Sequence, residues 1–193
     1  MSVLAIDTSA RQRAVCVRAT RGGELIRAEV LVSVALDVAL PPAVAGLLDA
    51  GVDAVVVTVG PGSYTGLRAG MAAGLGVAHA LGLPLHGIGS LEVIAAAQTA
   101  DSGPRLWLAA DAGRGGLWVA AATAVNGTWR VAAPERVDLA RFDPQGIPVV
   151  STDALAVAGV RAVRPDVALA RAVPIALQSP ALSRVGLRAA YVE

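Results

Sequence analysis

The chain has 193 residues, 55% of them hydrophobic and only 16% charged, with a net charge of +1. Those values exclude an intrinsically disordered chain and suit one domain with a sizeable core, or two small lobes sharing an interface. All 16 cationic residues are Arg and no run of like charge occurs, so the chain alone lacks the basic stripe that grips nucleic acid. There are three Trp, two Tyr and one Phe, so the core must be built from small aliphatic side chains. A chain this apolar is also expected to keep an apolar surface for a partner. The single cysteine, Cys16, lies in an apolar strand-like run with no His or Asp beside it. It reads as a buried small hydrophobe, forms no intrachain disulfide, and fits a cytoplasmic protein. The first seven residues lack the basic segment and cleavage site of a secretory signal. The apolar stretches are broken well before the ~20 residues a membrane span needs.

Residues 3–6 predict a short strand ending at Asp7, residues 14–19 a second strand, and residues 24–32 a third after the Arg21-Gly22-Gly23 turn. Residues 36–50 predict a helix stopped by Gly51, with Pro41-Pro42 near its true first turn, where proline is tolerated. Residues 52–59 are a continuous apolar strand, as expected when both faces are covered. The loop Gly60-Pro61-Gly62-Ser63 leads into a helix over 64–81, followed by a strand over 84–88 and a helix over 91–100. Asp101-Ser102-Gly103-Pro104 is the best boundary, dividing an N-terminal lobe at 1–102 from a shorter C-terminal lobe at 103–193.

The second half begins like the first. Leu4-Ala5-Ile6-Asp7 is echoed by Leu108-Ala109-Ala110-Asp111, and a short loop, an apolar strand, a glycine turn and a third strand follow in both. Two copies of one strand-Asp-hairpin-strand unit imply a duplicated α/β fold. Further on, residues 147–150 predict a strand and residues 155–160 and 173–187 helical stretches, with Pro165, Pro174 and Pro180 breaking longer elements.

A duplicated meander with an Asp at the end of its first strand suggests an actin-like (ASKHA), duplicated ribonuclease-H-like fold of two lobes. In that layout Asp7 and Asp111 face the cleft, where a carboxylate can position magnesium or an attacking water. Asp7 can equally close its own loop by accepting from the backbone of Thr8, Ser9 or Ala10. The segment Gly60-Pro61-Gly62-Ser63-Tyr64-Thr65-Gly66 is either a phosphate-holding turn at a helix N-terminus or a tight strand-to-helix turn capped by Ser63 or Thr65. It lacks the Lys of a P-loop. In the helix behind it, Gly66, Gly70, Gly74, Ala78 and Gly82 recur every four residues and share one face. Each glycine costs helix stability, so the stripe needs a close backbone neighbour, either the chain's own sheet or a partner. His79 and His86 have no ligand-like spacing, and Ser63 has no His/Asp pair.

Three segments together resemble the TsaB (YeaZ) family: Leu4-Ala5-Ile6-Asp7-Thr8-Ser9, Gly60-Pro61-Gly62-Ser63-Tyr64-Thr65-Gly66-Leu67-Arg68-Ala69-Gly70, and Gly87-Ile88-Gly89-Ser90-Leu91. Asp111-Ala112 with Arg114 and Trp118 resembles the family's second-lobe motif. The resemblance implies a non-catalytic scaffold in the complex that makes N6-threonylcarbamoyladenosine in tRNA. Such a chain has no intrinsic cofactor or metal, docks onto a TsaD-type catalytic paralogue, is joined by a TsaE-type ATPase, meets tRNA only through the complex, and homodimerises when alone. ATP or another nucleotide would sit at the complex interface. By this analogy the partner interface is Thr65, Leu67, Arg68, Met71, Leu75 and Ala78 on one helix with Val44 and Leu47 on another. The nucleotide- or phosphate-facing residues are Asp7, Thr8, Ser9, Gly60, Gly62, Ser63 and Asp111. A charge at Met71 is then expected to block docking. The sequence departs from the family pattern where Gly113 and Gly116 replace an Arg and a Glu, where residues 34–39 are apolar, and where Ala190-Tyr191-Val192 is only a faint echo of the closing segment. The competing readings are an actin-like ATPase or small-molecule kinase using Asp7 and Asp111, and a metallopeptidase-like enzyme.

Overall fold

A computed structural model describes residues 1–99 and 102–182. Strands β1 (Ser2–Asp7), β2 (Arg13–Thr20) and β3 (Leu25–Val32) form the expected antiparallel meander. Helix α1 (Leu36–Ala45) leads to β4 (Val52–Gly60), α2 (Tyr64–Leu81), β5 (Leu85–Gly89) and α3 (Ser90–Ala96). Strands β1, β4 and β5 are parallel, giving a five-stranded sheet in the order β3-β2-β1-β4-β5. The second half repeats the plan. Strands β6 (Arg105–Gly113), β7 (Gly116–Val125) and β8 (Thr128–Val131) are antiparallel, with β9 (Glu135–Asp138) also paired to β7. Strands β10 (Val149–Ser151) and β11 (Val160–Ala162) continue the sheet in parallel beside β6. Helix α4 (Pro165–Ala176) closes the described fold. The duplication read from the sequence is thus a duplication of topology, with each lobe's first strand at the centre of its sheet.

Alternation along the strands sorts the core into layers. Leu4, Ile6, Cys16, Val55 and Val57 face outward onto α1 and α2. Val3, Ala5, Val15, Val17 and Val56 face inward onto α4. Leu91 and Ile94 of α3 pack on Leu106, Leu108 and Val150 of the second sheet. The far face of that sheet is covered by loops, with Trp107 and Phe142 edge to face at 5.7 Å. Helices α3 and α4 therefore lie between the sheets, and α4, from the second half, rests on the first. At the open edge of β5, Leu182 N–H donates to the Leu85 carbonyl at 2.7 Å, which blunts that edge. Among the described residues no helix is long and apolar enough to cross a membrane.

Four sequence expectations need correction. Helix α1 ends at Ala45, and Pro41 and Pro42 sit inside it rather than in its first turn. The carbonyls their missing N–H groups leave unbonded belong to Asp37 and Val38, both exposed, so water can satisfy them. Helix α3 stops at Ala96, where the Gln98 side chain donates to the Ile94 carbonyl. Residues 155–160 are not helical. Leu155 and Val157 pack on the second sheet, and Val160 begins β11. The helix expected over 173–187 begins at Pro165, whose fixed φ suits a first helical position, and ends at Ala176. Residues 183–187 and the Ala190-Tyr191-Val192 segment lie outside the described residues.

Helix α2 has the bounds the sequence predicts. Its glycine face is used within the chain. A Cβ on Gly66 would overlap the Thr8 carbonyl, one on Gly70 the Thr8 side chain, and one on Gly74 the Val57 side chain. Gly82, at φ 65°, ends the helix, with Leu83 N–H on the Ala78 carbonyl at 2.8 Å and Gly82 N–H on His79 at 3.4 Å. Gly76 differs: it is exposed, and a Cβ there meets nothing within 4 Å. Gly70→Ala should therefore destabilise the fold by about 1–3 kcal/mol through overpacking. Gly76→Ala should stabilise it by up to about 1 kcal/mol. Urea midpoints moving in the same direction would refute this account of the helix.

The lobes are tied by a half-buried polar set. Arg13 on β2 lies 3.0 Å from the Asp153 carboxylate and donates to the Thr152 carbonyl at 2.6 Å and the Thr152 hydroxyl at 3.1 Å. Both charged side chains are largely shielded, 16% and 13% exposed. The other Asp153 oxygen accepts from Asp111 N–H at 3.1 Å. Removing one partner strands the other charge, so Arg13→Ala should cost about 3 kcal/mol or more. The double variant Arg13→Met/Asp153→Leu should cost less than the single one, as read by denaturant unfolding.

Candidate functional site

The loop between β4 and α2 is held from three sides. Gly60 has φ 112°, a conformation open to glycine. Ser63 N–H donates to the Ser9 carbonyl at 2.8 Å, and a Cβ on Gly62 would overlap that same carbonyl. The Ser90 hydroxyl donates to the Pro61 carbonyl at 2.5 Å, which gives the Gly89-Ser90 pair its role. Ser63 caps α2 by accepting from Gly66 N–H at 3.3 Å. The tight-turn reading of this loop is therefore realised, with the free N–H groups of the first helical turn left at its edge.

That edge forms one wall of a cleft of about 710 Å³ between the lobes. Gly62, Ser63, Tyr64 and Thr65 face Asp111, Ala112 and Arg114 across it, and Arg11 and Arg136 complete the lining. Of the residues expected to face a phosphate, the structure brings Gly62, Ser63 and Asp111 together here. Asp7 and Thr8 stand behind the wall, 7% and 1% exposed, with Thr8 beneath Gly66 and Gly70. Ser9 and Gly60 act on the loop's shape.

Both carboxylates close their own loops. Asp7 Oδ1 accepts from Ser9 N–H at 2.9 Å and from the Thr58 hydroxyl at 2.9 Å. Asp111 Oδ1 accepts from Gly113 N–H at 2.8 Å, and its Oδ2 lies 3.9 Å from Arg11 Nε. Among the described residues no three His, Cys, Asp or Glu side chains converge as a metal site would need. His86 is buried, with Nδ1 3.0 Å from the Ser179 carbonyl. Burial, with Asp7 and Glu29 nearby, pushes the Cys16 thiol up to about 12, so it stays protonated and unreactive at neutral pH.

Sequence reasoning named Arg114 only as part of the second-lobe motif and missed Arg11 and Arg136. Arg11 lies on the β1–β2 loop, Arg114 on the β6–β7 turn and Arg136 on β9. They converge only because the lobes meet, and the one available signal was the pair of departures at Gly113 and Gly116. A Cβ at Gly113 would overlap the Arg11 guanidinium, and a Cβ at Gly116 would lie 2.6 Å from Arg136 Nη2. Arg136 also donates to the Gly113 carbonyl at 3.1 Å.

The residues expected at a partner interface divide. Val44, Leu47, Leu67, Met71 and Ala78 are 0–7% exposed and lie in the core between the helices and the first sheet. Their apolar surface is spent within this chain, and a charge at Met71 would damage the fold rather than report on docking. Thr65 and Arg68 are exposed and Leu75 is half-buried. The outer face of α2 presents Ala72, Gly76 and Ala80, all exposed.

Comparison with known proteins places this architecture. The family model described as TsaD, tRNA N6-adenosine threonylcarbamoyltransferase, matches residues 33–192. Uncharacterized proteins of Mycobacterium leprae and Mycobacterium tuberculosis match at 54% and 56% identity over 50 residues. Those matches span 26% of this chain but only 14% and 24% of the relatives, so they cover a small part of those proteins. The structure of YeaZ from Pseudomonas aeruginosa superposes with a TM-score of 0.74, covering 99% of both chains at 19% identity. A second structure, of an uncharacterized protein with similarity to the peptidase YEAZ from Pseudomonas aeruginosa, covers 100% of this chain and 99% of its own at TM-score 0.73 and 20% identity. With most of its length matched by that family model and a two-lobed fold shared end to end with YeaZ, the chain belongs to the TsaD family, tRNA N6-adenosine threonylcarbamoyltransferase.

Proposed function

We propose that this chain is a non-catalytic subunit in the formation of N6-threonylcarbamoyladenosine in tRNA, acting by docking onto a TsaD-type catalytic paralogue. Family membership supports the pathway. The subunit role rests on one observation: Asp7 and Asp111, the two carboxylates the actin-like plan would offer for chemistry, each have an oxygen engaged by a backbone N–H of their own loop, and Asp7 also accepts from the Thr58 hydroxyl on β4. The same observation counts against the kinase reading, which needs those groups for metal or water. A TsaE-type ATPase would join the pair, and any nucleotide of that step would belong to the assembly. By the same analogy the chain alone would be a cytoplasmic homodimer.

The outer face of α2 suits docking. Ala72, Gly76 and Ala80 let a second helix approach closely, and Arg68, with its guanidinium 5.2 Å from the Tyr64 ring, flanks them. In a purified reaction with TsaD-type and TsaE-type proteins, tRNA, ATP and the threonylcarbamoyl donor system, product should form only when this chain is added. Equal product without it would overturn the proposal. Gly76→Arg adds bulk where the monomer has open space. It should weaken binding to the TsaD-type protein at least about tenfold with no loss of the monomer's own stability. Unchanged affinity would move the docking surface elsewhere.

A further inference from the structure

Strand β3 is a long sheet edge left open. It has eight residues and ends the first sheet on its side. The other edge of that sheet, β5, is covered by Leu182, and the edge strands of the second sheet are short, four residues in β8 and three in β11. β3 contains neither Pro nor Lys, the residues that commonly blunt an edge. Its one irregularity is a bulge at Ile26, near its start, where Leu25 pairs with Ala19 and Arg27 with Arg18. Beyond the bulge Val30 and Val32 are 45% and 59% exposed, and the apolar surface continues in Val34 and Val38 at the start of α1.

The pairing with β2 fixes which backbone groups are free. Ser33 N–H donates to the Gln12 carbonyl at 2.8 Å, so in this antiparallel ladder Leu31, Glu29 and Arg27 also turn their N–H and C=O toward β2. Ala28, Val30 and Val32 turn theirs outward, where another strand can extend the ladder. The side chains of Arg27 and Glu29 share one face of the strand, 58% and 37% exposed.

Two copies of one edge meet antiparallel about a twofold axis, so the position of the axis sets every cross-strand pair. An axis at Arg27 or at Glu29 puts like charges directly opposite. An axis at Val30 sets each Glu29 against a leucine, Leu31. An axis at Ala28 sets Arg27 opposite Glu29 of the other copy, twice. These are non-hydrogen-bonded positions, where facing side chains stand closest, and the outward groups of the two Ala28 residues then bond to each other.

We infer that a second copy of this chain adds to β3 in the register centred on Ala28, joining two five-stranded sheets into one of ten strands. Helix α2 packs on β4, β1 and β5, away from this edge, so its outer face stays free in the pair. The inference deepens the homodimer proposed above by naming the surface where the copies meet, and it rests on that reading.

The experiment is sedimentation equilibrium of the purified full chain over a range of concentrations. The unaltered chain should dimerise. Arg27→Glu and Glu29→Arg each set like charges opposite one another and should raise the dimer Kd at least about tenfold. An equimolar mixture of the two variants should regain the affinity as a heterodimer, because every facing pair is then of opposite charge. The double variant Arg27→Glu/Glu29→Arg should regain it as a homodimer. Both side chains are exposed in the monomer, so melting temperatures should change little. Gly76→Arg should leave the dimer intact. A dimer that survives both single variants, a mixture no tighter than its components, or a dimer lost in Gly76→Arg would overturn the β3 assignment and leave the homodimer standing. An unaltered chain that stays monomeric throughout would overturn both.

Discussion

The close approach of α2 to the end of β1 governs the rest of this structure. Gly66, Gly70 and Gly74 let the helix backbone settle on Thr8 and on the Val57 side chain, at distances no Cβ would allow. Three helical glycines cost roughly 1 kcal/mol each against alanine, and close packing on the central strands offsets that. In return the helix starts at a fixed place. The loop before it is pinned by Ser9 and Ser90, and the N-terminal turn of α2 comes to rest at the cleft. The outer face then remains for other contacts, with Ala72, Gly76 and Ala80 toward solvent.

The two lobes share a topology but not a chemistry. The first keeps two helices, α1 and α2, on the outer face of its sheet. Among the described residues the second has only a short 3₁₀ turn at Leu139–Arg141 and irregular chain there. Helices α3 and α4 sit between the sheets, so neither half buries its apolar surface alone. The Arg13–Asp153 contact adds a directional tie at the cleft edge, and Asp153 in turn orients the backbone at Asp111. The carboxylates that the actin-like plan places at the cleft are absorbed into loop closure. Guanidiniums from three separate elements take their place along the wall.

Much of the fold was legible from local pattern, and the exceptions have identifiable causes. Helix α2 was read to the residue because its start carries a capping serine and its end a glycine in the left-handed region. The echo of Leu4-Ala5-Ile6-Asp7 in Leu108-Ala109-Ala110-Asp111 revealed the duplication, since both strands are central and must be apolar. Helix α1 was misjudged because its prolines lie where the lost bonds face water, which exposure decides and sequence does not show. Residues 155–160 look helical in composition, yet Leu155 and Val157 are held by the far face of the second sheet.

The sequence by itself determined the element order of the first half, the glycine face of α2, the loop-closing role open to Asp7 and the family, because each is written in residues close together along the chain. Tertiary structure alone decided which surfaces remain free. Met71, Leu67 and Val44 look like docking residues in a helical pattern, but the sheet beneath claims them. Likewise Arg11 and Arg136 are unremarkable in sequence, and Arg114 stands out there only as part of the second-lobe motif. They share a cleft because two sheets, far apart along the chain, meet there, and because Gly113 and Gly116 leave volume that only the folded chain assigns to Arg11 and Arg136.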